Sequence, residues 1–176
     1  MSVATELVRL NLGCSNTRVP GFKNYDINPS KDVDFVGDIR DLSQFPDGSV
    51  AEILASNCLE HISHTQTLAC LKEWRRVLAP GGKLWLSVPD FGTIIRLYKY
   101  NELCPYLINL IWGEQDSPHG YHYICFTWPN LRALLDEAGF KSAVKVVDLP
   151  FGLNDASTLR DTAEGKPTAI NAEVTA

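Results

Sequence analysis

The stretch that decides the fold is VRLNLGCSNTRVPGFKNYDIN, residues 8–28, in which two apolar runs each end in a polar tip. The first run is Val8 to Leu12 and ends at a glycine, and the second is Phe22 to Ile27 and ends at Asn-Pro. Short runs of branched and aromatic residues with such ends are typical of buried strands. Only eight residues, Cys14 to Gly21, separate them, whereas a parallel crossover with its helix needs about a dozen. We therefore predict two strands whose crossover helix is shortened or absent.

The same pattern of a strand and a polar tip recurs along the chain and alternates with helical segments. This alternation is typical of a parallel sheet covered by helices. The further predicted strands are Val33 to Val36, Val50 to Ala55, Lys83 to Val88, Ala143 to Leu149 and Thr168 to Val174. We predict an α/β fold of Rossmann type, with a mostly parallel seven-stranded sheet and helices on both faces.

Two amphipathic helices are marked by the residues at their ends. The first opens near Ser63 and Gln66, which have capping-box spacing, and is stopped by Pro80 to Gly82. The second opens at Thr127, with a proline just inside it, and closes at Gly139.

The segment of residues 91–126 is rich in aromatic side chains and separates a predicted strand from the second helix. We predict a helix from about Thr93 and then a loop from Gly113 to Gly120. The segment is expected to be an insertion over the acceptor side of a single domain that spans residues 1–176.

Composition and charge narrow the class of partner. The chain has 176 residues, of which 45% are hydrophobic and 21% charged, as in a globular protein. Its net charge of -5 argues against nucleic acid or an anionic membrane as partner, and no apolar run is long enough to span a bilayer. Its five cysteines are scattered without a CxxC pair, which predicts free thiols. We expect a cytoplasmic protein that acts on a small molecule.

The polar tips of the predicted strands indicate the kind of ligand. In an open parallel sheet, ligands bind beyond the carboxyl ends of the strands. Gly13 after the first strand lets a ligand approach the backbone closely. Asp26 at the second tip can accept hydrogen bonds from both hydroxyls of a ribose, and Asp38 at the third can accept from an exocyclic amine. Together these residues predict an adenosine site.

At this point the sequence resembles a known family, the class I S-adenosylmethionine-dependent methyltransferases, and within it a small bacterial subgroup. The resemblance extends over nearly the whole chain. The motifs that carry it are Leu10 to Cys14 (LNLGC), Asn24 to Ile27 (NYDI), Gly37 to Ile39 (GDI), Leu59 to Ile62 (LEHI) and Arg76 to Gly82 (RVLAPGG).

The resemblance implies S-adenosylmethionine as cofactor and assigns roles to residues. The backbone of Gly13 to Ser15 would face the methionine part, Asp26 would hold the ribose, and Ile27 would pack on the adenine. Asp38 would accept the adenine amine, the Ile39 amide would donate to a ring nitrogen, and Asn57 to Leu59 would line the opposite side. The implied cofactor-binding residues are Asn11, Leu12, Gly13, Cys14, Ser15, Asp26, Ile27, Asp38, Ile39, Asn57, Cys58 and Leu59.

The chain departs from the family pattern in its first loop. Asn11 stands where the family has an acidic residue, and Ser15 stands where it has a second glycine. The missing first helix also removes the usual partner of the cofactor carboxylate, since helix N-termini bind anions. Arg18 or loop amides are expected to take over that role.

Three residues are candidates for a catalytic base. His61 follows the fourth strand, His122 lies in the segment that would cover the acceptor, and Asp90 ends the fifth strand. Each also has a structural reading: loop packing for the histidines and a helix N-cap for Asp90. The spacing of His119 and His122 is compatible with metal binding. Because no third ligand or carboxylate partner is near them in the sequence, we expect no metal site.

The function predicted from these residues is transfer of a methyl group to an oxygen or nitrogen of a small molecule. The subgroup suggests a sugar, a polysaccharide precursor or a secondary metabolite as acceptor. The alternative is a catalytically silent protein of this fold that acts as a partner-binding module. A nicotinamide-dependent oxidoreductase is disfavoured, because no GxGxxG motif opens a helix after a strand.

Overall fold

A computed structural model describes residues 7–101, 103–161 and 164–176. The strands are β1 Val8–Leu12, β2 Lys23–Asp26, β3 Phe35–Val36, β4 Val50–Ser56, β5 Leu78–Pro89, β6 Ser142–Val146 and β7 Ala169–Thr175. They form one seven-stranded sheet in the order β3-β2-β1-β4-β5-β7-β6. β7 runs antiparallel to both neighbours, and all other pairs are parallel. The predicted fold class, a mostly parallel sheet of Rossmann type, is confirmed.

The connection from β1 to β2 contains no helix, as predicted. Two asparagine side chains hold it in place of one. Asn11 Nδ2 donates to the Thr17 carbonyl oxygen at 3.0 Å and to Asn24 Oδ1 at 3.1 Å. Asn24 Nδ2 donates to the same Thr17 oxygen at 3.2 Å and to the Asp32 carbonyl oxygen at 2.8 Å. Both asparagines are buried, so the short loop is fixed from inside.

Two helices, α1 Thr67–Val77 and α4 Trp128–Glu137, contact each other and pack against the sheet through its main core. Helices were expected on both faces, whereas loops cover the opposite face in the described part of the chain. There Leu54 of β4 and the partly buried Trp85 of β5 belong to a second cluster with Val19, Phe22 and Leu149 from connecting segments. The connection between β1 and β2 is too short to hold a helix, and the described part of residues 147–168, between β6 and β7, contains only the short 3-10 helix Ala156–Thr158.

The ends of α1 differ from the prediction, whereas those of α4 agree with it. The predicted capping box of Ser63 and Gln66 is not formed. The Gln66 side chain makes no cap hydrogen bond, and its Oε1 accepts from Arg40 Nη1 at 2.8 Å. Residues 80–82, which were expected to stop the helix, lie inside the strand β5. They lie in a bulge of β5, since Val50 pairs with Leu78 and Glu52 with Lys83. α4 begins after Thr127, and Gly139 follows it with φ +92°.

Beyond β5, two further helices pack on each other: α2 Phe91–Asn101 and α3 Pro105–Trp112. Ile94, Leu97 and Leu107 form their common core. α2 was predicted, whereas α3 was not, although Pro105 at its start and Gly113 after its end are typical helix boundaries. None of the described helices is long and apolar enough to cross a membrane. All five cysteines are free thiols, as predicted.

Candidate functional site

A cavity of about 440 Å³ opens at the carboxyl ends of the strands. Nine of the predicted site residues line it: Gly13, Ser15, Asp26, Ile27, Asp38, Ile39, Asn57, Cys58 and His61. The strand tips that are separate in sequence therefore meet at one place. Sequence reasoning missed other lining residues, among them Arg40, Gln66, His119 and Tyr123.

The loop after β1 forms one wall of this cavity and requires a glycine. Gly13 has φ +61°, and a Cβ atom there would lie 2.6 Å from Cys58 Cβ in the wall opposite. A side chain at this position would clash with Cys58, so the loop or its neighbour would have to shift. Ser15 has φ +47°, a conformation that favours glycine, which is the residue the family pattern has there.

Asp26 is the best-positioned carboxylate of the cavity. It is 7% exposed, and its Oδ2 accepts from the Ser15 amide at 2.8 Å while Oδ1 accepts from the Asn28 amide at 2.9 Å. These bonds fix the carboxylate and tie it to the loop after β1. Each oxygen retains a second lone pair that can accept a ligand hydroxyl.

Asp38 is engaged by Arg40, which the sequence analysis did not consider. Arg40 Nε lies 2.9 and 3.0 Å from the two carboxylate oxygens of Asp38, and Nη2 lies 2.5 Å from Oδ2. The hydrogen bond from Arg40 lowers the pKa of Asp38. The adjacent Ile39 is fixed from below, because its carbonyl oxygen accepts from Trp74 Nε1 at 2.8 Å.

Four predicted cofactor residues lie behind the cavity wall. Asn11, Leu12, Cys14 and Leu59 are buried and are not among its lining residues. Burial, assisted by the charge of Asp26, raises the pKa of the Cys14 thiol to about 11, so this thiol is neutral at pH 7. Arg18 is also absent from the lining, because its Nε pairs with Asp32 at 2.9 Å.

A second cavity of about 410 Å³ adjoins the first, and Asn57 and His61 line both. Its other walls come from α3 and from residues 113–122, including His122, whose ring centroid lies 4.8 Å from that of His61. The structure therefore brings two of the predicted catalytic residues together. Asp90 borders neither cavity, and its Oδ1 accepts from the Gly92 amide at 3.0 Å, close to the start of α2.

Glu60 is the most unusual residue of the second cavity, and sequence reasoning missed it. Its side chain is 1% exposed, and neither carboxylate oxygen has a hydrogen-bond partner. Burial raises the pKa of Glu60 to about 8. Asn57 Oδ1 is likewise buried without a partner. The position of Glu60 at a strand tip, directly before a histidine, is the signal that could have identified it.

His61 and His122 are each oriented by a main-chain carbonyl group. His61 Nδ1 lies 3.0 Å from the Tyr121 oxygen, and His122 Nδ1 lies 3.1 Å from the Leu110 oxygen. Burial lowers the pKa of both imidazoles, and the hydrogen bonds to carbonyl oxygens oppose this shift. Both rings are therefore held in a fixed orientation at the boundary between the cavities.

Comparison with known proteins gives a family match for part of the chain. Residues 10–86 match the family described as methyltransferase domain. A comparison with curated protein sequences gives no significant match.

Solved structures with a similar fold include several methyltransferases. A SAM-dependent methyltransferase from Archaeoglobus fulgidus has a TM-score of 0.62 and 13% identity, with 98% of this chain and 87% of that chain covered. The 1,6-didemethyltoxoflavin-N1-methyltransferase of Burkholderia thailandensis, solved with S-adenosylhomocysteine, gives 0.59 and 16%, with 96% and 70% covered. A SAM-dependent methyltransferase from Thermotoga maritima gives 0.57 and 18%, with 98% and 84% covered.

The structural likenesses show the fold, and the family match covers the strands β1 to β4 and the tips that form the larger cavity. Both agree with the enzyme class and cofactor predicted from the sequence, whereas membership of the smaller bacterial subgroup stays a prediction. Residues 10–86 are therefore similar to a methyltransferase domain, and the chain has the fold of S-adenosylmethionine-dependent methyltransferases.

Proposed function

We propose that the larger cavity binds S-adenosylmethionine and that the protein methylates an oxygen or nitrogen of a small molecule. The acceptor class suggested by the sequence is a sugar, a polysaccharide precursor or a secondary metabolite. We propose that the protein acts in the cytoplasm and binds neither nucleic acid nor a membrane.

The observation that carries the proposal is the arrangement of Gly13 and Asp26 across one cavity. Gly13 lines the cavity with bare backbone, and its close packing on Cys58 leaves no space for a Cβ atom, so a ligand can approach the main chain there. Asp26 is buried and oriented by two amides, which suits the recognition of ribose hydroxyls. The volume of about 440 Å³ is within the usual range of small-molecule sites.

The other cofactor contacts follow from the lining of this cavity. We assign Ile27 to packing on the adenine, the Ile39 amide to an adenine ring nitrogen and Asp38 to the adenine amine. Because Arg40 already engages Asp38, the amine must share the carboxylate with the guanidinium group. Asn57 and Cys58 line the wall opposite Gly13. Asn11, Leu12, Cys14 and Leu59 support these walls from behind.

The second cavity is assigned to the acceptor. Residues 91–126, which we interpret as an insertion within a single domain, contribute α3 and the loop that borders this cavity. Of the three candidate bases, His61 and His122 are favoured because they line it. Asp90 is assigned the role of positioning the start of α2 instead.

When bound, S-adenosylmethionine supplies an activated methyl group on a sulfonium, whose sulfur is the leaving group. The protein then needs mainly to hold the acceptor in line with that methyl group and to exclude water. His61, which borders both cavities, lies where the proton of an acceptor hydroxyl or amine would be removed.

Calorimetric titration with S-adenosylhomocysteine tests the assignment of the cofactor site. We expect micromolar binding by the wild-type protein and by Asp136→Asn, a surface variant on α4, and loss of binding by Asp26→Ala. Absence of binding by folded wild-type protein would instead favour a silent partner-binding module.

Transfer of a labelled methyl group then tests the acceptor class. Label is expected in hydroxyl- or amine-bearing small molecules from a metabolite extract. Label that appears only in protein or nucleic acid would contradict the assignment of a small-molecule acceptor.

A further inference from the structure

The starting point is the carboxyl group of Glu60, which has no protein partner although it is buried. Removing a carboxylate from water without hydrogen bonds or a counter-charge is strongly unfavourable. Protein side chains in such positions are usually paired or bound to a metal ion. The mechanism described above gives Glu60 no role.

The two histidines beside Glu60 complete a cluster with the chemistry of a metal site. One potential ligand atom from each of Glu60, His61 and His122 lies within 4.8 Å of the others. Two nitrogens and one carboxylate oxygen are a ligand set that suits divalent transition metals better than magnesium or calcium.

The Nδ1 hydrogen bonds of the two histidines point to Nε2 as the metal-binding nitrogen of each ring. A carbonyl oxygen can only accept, so Nδ1 of His61 and of His122 carries the proton in each contact. In the neutral ring, Nε2 then has an unprotonated lone pair. A main-chain carbonyl that accepts from the other ring nitrogen is the usual second shell of a metal-binding histidine.

We propose that Glu60, His61 and His122 bind one divalent transition metal ion, such as Mn²⁺, Fe²⁺, Co²⁺ or Zn²⁺, in the wall shared by the two cavities. Binding requires the ligand atoms to move inward, because ligands at about 2.1 Å from a metal lie roughly 3–3.5 Å apart. The ion supplies the partner that Glu60 lacks. Asn57 Oδ1, also buried and unpartnered, is a further oxygen donor in the same wall.

This site departs from the expectation of no metal, which considered only His119 and His122. His119 lines the larger cavity and is not part of the cluster. The third and fourth candidate donors, Glu60 and Asn57, come from the tip of β4 and the short turn after it. Their convergence on His122 depends on the path of residues 113–122.

The ion would also narrow the acceptor to a hydroxyl compound, an inference that rests on the proposed function. A metal ion with open coordination positions lowers the pKa of a bound hydroxyl group. In this arrangement His61 binds the ion and is not the base, so the hydroxyl proton passes to solvent water and the oxygen forms a bond to the methyl carbon. The carbon–sulfur bond breaks, and its electron pair stays on the sulfur of S-adenosylhomocysteine.

Metal binding by the full chain tests the site directly. Protein freed of metal with a chelator is titrated with Co²⁺, followed by its visible absorption, and with Zn²⁺ by calorimetry. We expect one ion per chain, and an affinity at least about tenfold lower in Glu60→Gln and in His122→Ala. The control His64→Ala removes an exposed histidine near the cluster and is expected to bind as tightly as the wild type.

Two results would overturn the metal site: no binding by the wild type, or equal affinity in all four proteins, which would mean that the ion binds elsewhere. S-adenosylhomocysteine binding by each protein reports on its fold and on the cofactor site independently. Cofactor binding without metal binding rejects the metal site alone. Metal binding without cofactor binding rejects the proposed function and leaves the metal site standing.

Discussion

At the residue scale, the departures of this chain from the family pattern have a physical explanation. A carboxylate at position 11 could not donate a hydrogen bond, whereas Asn11 donates to both Thr17 and Asn24. The asparagine therefore compensates for the missing first helix by fixing the loop that replaces it. Ser15 keeps the left-handed backbone of a glycine, and its amide donates to Asp26, so the loop still contacts the carboxylate that we propose binds the ribose.

Asn11→Asp tests this explanation. The new carboxylate cannot donate to the Thr17 oxygen and faces Asn24 Oδ1, so we expect the free energy of unfolding to fall by about 1–3 kcal/mol. Urea denaturation measures it. Asn16→Asp adds the same charge at an exposed position of the same loop and serves as control. Equal stability of the two variants would contradict the role of Asn11.

Gly13→Ala tests the close approach of the first loop to the opposite wall. The Cβ atom would meet Cys58 Cβ at 2.6 Å in a backbone with φ +61°. We expect a loss of stability together with at least about tenfold weaker binding of S-adenosylhomocysteine, because displacing one wall by a fraction of an ångström disturbs the ligand contacts.

Gly152→Ala is the matched control for this variant. Gly152 has φ +60°, but a Cβ atom there meets nothing within 4 Å. It should therefore show only the cost of left-handed backbone, about 1–2 kcal/mol, with cofactor binding unchanged. If both variants bind the cofactor like the wild type, the packing of Gly13 against Cys58 does not shape the site.

At the scale of elements, α1 holds the segment between β3 and β4 in place. Glu73 Oε1 accepts from the Leu42 amide at 2.9 Å, and Glu73 accepts two bonds from Arg76 at 2.8 Å. Arg76 in turn donates to the carbonyl oxygens of Phe45 and Leu42. This pair compensates for a connection without a helix, as Asn11 and Asn24 do between β1 and β2.

Glu73→Gln is expected to lower the free energy of unfolding by about 1–2 kcal/mol at pH 7, since the bonds to a charged group are lost. Hydrogen bonding to Arg76 lowers the pKa of Glu73 below the ordinary 4.5. Its stabilising contribution is therefore complete well above that pKa and is lost as the pH falls through the lower pKa of the folded state.

The stability difference between wild type and Glu73→Gln should consequently shrink in acid. Urea denaturation at pH 7 and at about pH 3 compares them. Glu137→Gln, which changes an exposed glutamate of α4, should show little difference at either pH. A difference that is the same at both pH values would show that the charge of Glu73 does not stabilise the fold.

At the scale of the whole molecule, the sequence predicts most of the fold, because strand and helix patterns are local. Residues 8–28 show the first two strands and the missing crossover helix, and the same pattern of a strand and a polar tip further along the chain shows the other strands. The convergence of Gly13, Asp26 and Asp38 on one cavity followed from the rule that ligands bind at strand ends.

Apart from α3, whose boundary residues are visible in the sequence, the features that the sequence did not predict depend on contacts between distant segments. Gln66 looked like a capping residue but binds Arg40, which in turn binds Asp38. Glu60 is buried, and its main-chain oxygen accepts a hydrogen bond from the amide of Tyr123, which is far along the chain. Loops likewise cover one face of the sheet because Val19 and Leu149, from two separate connecting segments, pack in one cluster with Leu54 of β4.

The assignment of the larger cavity to the cofactor is tested most directly by a crystal structure of the protein with S-adenosylhomocysteine. We predict that the ligand lies in the larger cavity, with its ribose hydroxyl oxygens about 2.5–3.0 Å from the Asp26 carboxylate and its adenine amine beside Asp38. Ligand density elsewhere on the molecule, or a ribose that does not contact Asp26, would contradict it.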